Sequence, residues 1–479
     1  MLKSTSSLAA LMAATALASC STVGPDFERP AAPVVAGYAM TGDVAATQVT
    51  LSPQTRAAGP WWQALGSAQL DAVMQQALAS SPDIALAEAN LRAANAELAA
   101  RIGDQSIKVD GAANAQRTRI NTQSFGFTGF PSPTISLYEL GVSSSYDFDV
   151  FGKKRRASEA ARARAQAEAR RADAAYLTLT SNVAATAVRI ASLRAQIESV
   201  EATTRGDQRV IDMIARAQSA GGAPRSATSI GEAQLAQDLV LLPPLERQLT
   251  EARHRLALLL GKSPAEWAAP DFALSDFTAP TRIPLAIPSD LVRQRPDILA
   301  AEADLHAATA DIGVATANLY PSISLSASLT QGSIAPENLF EYASSGWALG
   351  AGLTAPIFQG GMLQAQKDKA VAQADAAMAK YQRTVLTSFV QVSDALAGIA
   401  ATTRSMTALD RAEAAAQANV DDATRSYELG AGSLLPVFDA RRQLNLAQRQ
   451  KVENLGDHLT DIVTLFAATA ADWRQTPAH

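Results

Sequence analysis

Residues 82–97 read PDIALAEANLRAANAE, and residues 296–311 read PDILAAEADLHAATAD, identical at ten of sixteen positions. Self-similarity over such a distance ranks above any local motif, because it means that one half of the chain is a copy of the other. Each copy leads into the same kinds of segment in the same order. First the period changes to two. Ile107, Val109, Gly111, Ala113 and Ala115 alternate with Lys108, Asp110, Asn114 and Gln116, and Leu140, Val142, Tyr146, Phe148 and Val150 alternate with Gly141, Ser143, Ser145, Asp147 and Asp149. In the second copy Ile323, Leu325, Ala327 and Leu329 oppose Ser324, Ser326 and Ser328, and Trp347, Leu349, Ala351 and Leu353 oppose Gly350, Gly352 and Thr354. This alternation predicts four strands, near 105–118, 139–151, 321–330 and 346–356, joined in pairs by turn-rich loops.

Very long helices come next. From Lys153 to Ala220 there is no proline and one glycine, Gly206; from Met362 to Leu429 there is no proline and one glycine, Gly398. At 1.5 Å per residue, each run predicts a helix of about 100 Å, too long for an ordinary globular domain. Heptad-like spacing of Val183, Ala187, Ile190, Leu193, Ile197 and Val200, and of Val452, Leu455, Leu459, Ile462 and Phe466, points to coiled-coil packing. Pro243-Pro244 is expected to end or kink a returning helix near Leu242. Four strands left open would expose two unpaired edges, and small membrane barrels start at about eight strands. The pattern therefore predicts an oligomer in which several chains share one barrel.

Composition agrees with thin, close-packed helices: 48% of the 479 residues are apolar, alanine above all, and only 5% are aromatic. A net charge of −5 argues against a nucleic-acid partner, which needs a concentrated basic surface. The one basic cluster, KKRR at 153–156, reads as a solvated helix start or a lipid-headgroup contact. Residues 1–19 have the lysine, apolar run and small residues of a secretory signal, and Leu17-Ala18-Ser19-Cys20 looks like a lipobox that would leave Cys20 as an acylated N-terminus. Cys20 is the only cysteine, which excludes disulfides within the chain. After the signal no apolar run of 18 residues occurs, so a mature chain that crosses a membrane must do so as a closed barrel.

Chemistry-bearing motifs are sparse. His254, His306, His458 and His479 are scattered without cysteine partners, so no metal site is expected. Gly261-Lys262-Ser263 lacks the first glycine of a phosphate-binding loop, Leu256 standing there, and reads instead as a helix stop at Gly261 before Pro264. No catalytic constellation or cofactor site emerges, and the chain reads as something other than an enzyme.

VGPDFERP (23–30), the run from IPSDLVRQRPDI to NLYPSISLSASL (287–329), YDFDVFGKKR (146–155), LTAPIFQGG (353–361) and YELGAGSLLPVFDARRQL (427–444) together resemble the TolC-type outer-membrane efflux factors. LLPPLERQLTEARHRLALLLGKSP (241–264) resembles their NodT-like lipoprotein branch. The resemblance runs from Cys20 to about Trp473. It implies a mainly α fold with a small β part: a long antiparallel α-helical coiled-coil barrel, and four strands per chain in a trimeric twelve-stranded outer-membrane β-barrel. It divides the chain into a signal peptide (1–19), a lipid-anchored extended tether (20–60), a first repeat (61–262), a proline-rich equatorial linker (263–292), a second repeat (293–473) and a tail (474–479). It also implies a homotrimer in outer-membrane lipid that docks to a periplasmic adaptor (membrane fusion) protein and an inner-membrane resistance-nodulation-division (RND) pump. The implied function is passive exit of small toxic compounds. A type I secretion duct for a polypeptide and a non-conducting structural periplasmic lipoprotein remain as alternatives.

In both copies the long helix ends at glycine, Gly221-Gly222 near a tip at 220–226, and Gly430 and Gly432 near a tip at 429–436. By resemblance these hairpins form a periplasmic entrance. Leu435 and Asp439 match the positions that narrow the pore, Arg442 and Tyr427 those that tie neighbouring helices shut. Asp439 and Arg442, three apart, share a helix face and can pair. Aligning the two tips glycine to glycine sets Ile230 opposite Asp439 and Ala233 opposite Arg442, so only the second hairpin is expected to carry the acid and its arginine.

Overall fold

The computed structural model describes residues 22–33, 37–38, 40, 50–52, 60–126, 129–280, 282–284, 288–433 and 435–469; the signal segment, Cys20 and the tail lie outside the described residues. Nine α-helices are seen among the described residues. They are α1 (Ala68–Ser80), α2 (Pro82–Gly103), α3 (Lys153–Ser219), α4 (Arg225–Leu239), α5 (Leu242–Leu259), α6 (Pro288–Gln294), α7 (Pro296–Ala317), α8 (Met362–Glu428) and α9 (Leu435–Ala468). The strands are β1 (Thr50–Ser52), β2 (Lys108–Arg119), β3 (Thr134–Phe148), β4 (Arg282–Pro284), β5 (Ser322–Ser333) and β6 (Ser345–Thr354). Helix α2, strands β2 and β3, helix α3 and its return thus recur as α7, β5, β6, α8 and the return α9. Both long helices have 67 residues. The returns differ for the reason Pro243-Pro244 supplies: the first is broken after Leu239 and restarts at Leu242 with proline in its opening turn, whereas α9 runs unbroken for 34 residues.

The chain divides into two compact units. The first takes the N-terminal residues up to Pro30, Leu91–Glu168 and Ala300–Tyr381. It holds an antiparallel sheet in the order β2-β3-β5-β6. Register gathers the apolar sets on one face: Ala113 pairs with Leu140, Val142 with Leu329, Tyr146 with Leu325, and Leu329, Ala327, Leu325 and Ile323 with Trp347, Leu349, Ala351 and Leu353. This face is not covered. Trp347, Leu349 and Leu353 are about 70% exposed or more, as is fitting for a sheet whose apolar side meets something other than water. Two boundaries depart from the alternation. Ile107 precedes β2, and β3 begins at Thr134 and stops at Phe148, short of Val150. It stops because Asp149 turns to the start of α3, where its carboxylate accepts from the backbone N–H groups of Lys154 (2.9 Å) and Arg155 (2.8 Å).

The basic cluster is not a solvated helix start throughout. Arg156 is 3% exposed. Its guanidinium donates to Asp26 Oδ1 (2.6 Å), Glu159 Oε2 (2.7 Å) and the carbonyl oxygens of Val23 and Gly24. An arginine can be buried when its fork is filled in this way, and here it fastens the segment Val23–Asp26 to α3. Gly24 has φ +92° and lies so close to Gly313 of α7 that a Cβ would stand 2.5 Å from the Gly313 Cα. Glu159 also meets His306 Nε2 at 2.9 Å, and the His306 ring stacks on Phe27. Burial draws the Glu159 carboxyl upward, but the His306 and Arg156 contacts outweigh it and hold it below the usual glutamate value.

The second unit, Ala31–Asn90, Ala169–Leu299 and Gln382–His479, contains the main core. The heptad positions Val183, Ala187, Ile190, Leu193, Leu459, Ile462 and Phe466 are all buried in it with Leu256, Phe272, Trp61 and Trp62. Trp61 stacks on Phe466 (5.5 Å), and Arg295 binds the carbonyl oxygen of Ala468 at the end of α9 (2.7 Å). Close approach needs small residues. A Cβ on Gly456 would lie 2.3 Å from Ser192 Oγ, and one on Gly398 2.7 Å from the carboxyl carbon of Asp461. Burial, with the Asp457 charge beside it, pushes Asp461 up to about 6. Gly456→Val should cost about 2 kcal/mol by forcing α9 off α3. Gly103→Ala, which meets open space, should be neutral or slightly stabilising. Thermal midpoints of the two variants in detergent check this, and equal midpoints would refute the packing account.

Candidate gate at the helix hairpins

Both long helices end in the same backbone device. The N–H of Gly222 reaches back to the Ala217 oxygen (2.8 Å) and that of Gly221 to Gln218 (3.0 Å); Ala431 bonds Ser426 (2.9 Å) and Gly430 bonds Tyr427 (2.9 Å). This six-to-one and five-to-two pairing requires a left-handed residue, which glycine supplies cheaply. Only one glycine of each expected pair does so: Gly221 has φ +77° and Gly430 φ +70°, while Gly222 and Gly432 are not left-handed.

After the second turn, α9 begins with two distinct faces. Val437, Phe438 and Ala440 are buried, whereas Leu435, Asp439 and Arg442 are exposed on one side of the helix. The structure brings Asp439 and Arg442 together, with Oδ1 and Nη2 3.7 Å apart and both side chains more than half exposed. Such a pair contributes only about 0–1 kcal/mol within the chain. Tyr427 is half-buried, and among the described residues no hydrogen bond or ion pair links it to Arg442. The four side chains thus sit at one hairpin, with Leu435 and Asp439 presented outward. In the first hairpin Ile230, the counterpart of Asp439, is exposed and apolar.

The buried face of α9 carries residues of the 427–444 stretch to which neither the resemblance nor any period assigns a role. Phe438 packs with Val210 and Ile214 of α3. Gly231 of α4 makes room for it: a Cβ there would lie 2.9 Å from Ile211 and 3.2 Å from the Phe438 ring. Arg441, the neighbour of Arg442, places Nη1 where a Gly206 side chain would project, 3.1 Å from that Cβ position. The signal was present in Gly206, the one glycine of α3's long run. Among the described residues no three His, Cys, Asp or Glu side chains gather to hold a metal ion. His458 instead meets Thr402 Oγ1 through Nδ1 (2.9 Å). Phe438→Ala should weaken the first hairpin by about 3 kcal/mol. Hydrogen exchange is the measure: faster exchange in α4 with the Trp61 cluster unchanged is expected, and unaltered exchange in α4 would refute it.

A family model described as outer membrane efflux protein matches residues 73–262 and again 287–471, once per copy. The probable efflux pump outer membrane protein TtgC of Pseudomonas putida is 31% identical, over 99% of this chain and 96% of its own. Nodulation protein T of Rhizobium leguminosarum bv. trifolii is 29% identical over 89% of each chain. The solved outer-membrane channel OprN superposes with a TM-score of 0.86 at 27% identity, covering 95% of this chain and all of that one. The chain belongs to the outer membrane efflux protein family.

Proposed function

We propose that this chain is the passive outer-membrane exit channel of a tripartite efflux pump, which carries small toxic compounds from the periplasm and pump to the exterior. The observation that carries the reading is the sheet β2-β3-β5-β6, apolar and exposed on one face, with β2 and β6 each paired on one side only, in a chain that also has two 67-residue helices. In lipid, open edges leave backbone groups unsatisfied at several kcal/mol each, so the sheet must close with others. Three copies, four strands each, make a twelve-stranded barrel of the size that leaves a lumen. The long helices of the homotrimer form the periplasmic tunnel, whose hairpins meet the adaptor protein and the RND pump. Cys20 bears the lipid that anchors the N-terminus. Cys20→Ser should abolish incorporation of labelled fatty acid, and undiminished labelling would refute the anchor.

Leu435 and Asp439 line the constriction, and Arg442 and Tyr427 hold neighbouring helices closed. Three Asp439 carboxylates around one axis favour cations over anions. The double variant Asp439→Ala, Arg442→Ala in planar bilayers should raise single-channel conductance and reduce cation preference. Unchanged conductance and selectivity would exclude these residues as the gate.

A further inference from the structure

Asp207 follows Gly206 in α3 and is 3% exposed. Its Oδ2 is fully buried and accepts no hydrogen bond from the chain. Burying a carboxylate oxygen without a donor is costly, so this atom calls for a proton nearby. The neighbour of the Asp207 side chain on α4 is another acid. Asp238, at the end of α4, stands within hydrogen-bonding reach of Asp207, and its own Oδ2 accepts from Gln234 Nε2 at 2.9 Å. Two carboxylates in contact cannot both ionise cheaply, and a proton held between them removes the conflict.

The third element packed here is α9, and the charged group it turns toward the pair is Arg441. Its Nε is likewise buried with no acceptor. Among the described residues no ion pair joins Arg441 to Asp207. Asp207 therefore has two charged neighbours: Asp238, which suits it when a proton is present, and Arg441, whose pull favours it when the proton is gone. Arg441 lies on the same first turns of α9 as Asp439 and Arg442.

We propose that Asp207, Asp238 and Arg441 form a proton-controlled latch at the first hairpin. With one proton shared between the acids, α4 is clipped to α3. Once that proton leaves, Asp207 exchanges Asp238 for Arg441, α4 comes free, and the inner face of α9 beside the gate residues is repositioned. Burial first, then the hydrogen bond and charge of Asp238, raise the Asp207 pKa to about 7 against the opposing pull of Arg441. Linkage sets the sign. The folded chain keeps a proton that an unfolded aspartate, with an ordinary value of 3.8, has already lost. The clip is thus fully present in acid below the ordinary value, weakens as pH rises, and is lost as pH passes through about 7.

Hydrogen exchange of residues 225–239 in the assembled channel tests this, comparing wild type with Asp207→Asn and Asp238→Asn, each of which mimics the protonated acid. At pH 6 the three proteins should exchange alike. At pH 8 wild type should exchange on the order of tenfold faster than either variant, because one pH unit displaces a single protonation tenfold. A wild-type to variant ratio that is the same at both pH values would overturn the latch. The conductance consequence rests on the proposed gate, so Asp439→Ala, Arg442→Ala is measured beside it. A pH step in exchange with no conductance change in the gate variant supports the latch and removes the gate reading. Altered conductance in the gate variant with a flat exchange ratio does the reverse.

Discussion

A β-sheet can lie against lipid only if every backbone N–H and C=O at that depth has a partner, and four strands cannot meet that condition alone. The outer edges of β2 and β6 have to be matched by strands from elsewhere, while the register that aligns Trp347, Leu349 and Leu353 with Leu329, Ala327 and Ile323 commits the apolar face to the outside. Under the proposed closure by three copies, this one requirement also fixes a central axis.

Duplication supplies the strands in pairs and the helices with them, and it leaves each copy free to diverge. The shared features are backbone features: a proline that opens α2 and α7, and the same glycine-dependent turn at the end of α3 and α8. The differences are side-chain features. Pro243-Pro244 divides the first return into α4 and α5, whereas α9 stays continuous and presents an acid and an arginine on its open face. Its opposite face packs on the first hairpin through Phe438, with Arg441 beside Gly206. The two hairpins are therefore not equivalent: the second presents Leu435, Asp439 and Arg442 outward, and the first packs against the other face of α9.

The alanine-rich helices make tight contacts because so little side chain separates them. Gly456 faces Ser192 and Gly398 faces Asp461 at distances that leave no room for a methyl group unless a neighbour shifts, and Gly206 stands close to Arg441. This close approach carries polar groups into the helix interfaces, which is why Asp461 and Asp207 both titrate well above an ordinary aspartate.

The sequence by itself determined the duplication, the four strands and their apolar faces, the uninterrupted length of α3 and α8, the break at Pro243-Pro244 and the turns at Gly221 and Gly430. The duplication is read by comparing the chain with itself, and the rest is a local matter of period, of a missing N–H or of a left-handed dihedral angle, which the residues on the spot display. The tertiary structure decided the rest. That Arg156 is buried against Asp26 and the carbonyl groups of Val23 and Gly24, that Gly206 and Gly398 accommodate side chains from other helices, and that Asp207 meets Asp238 beside Arg441 are facts about residues far apart in the chain. No period encodes them, because a buried charge is tolerated only where folding brings it a partner, and that partner is chosen by packing rather than by sequence distance.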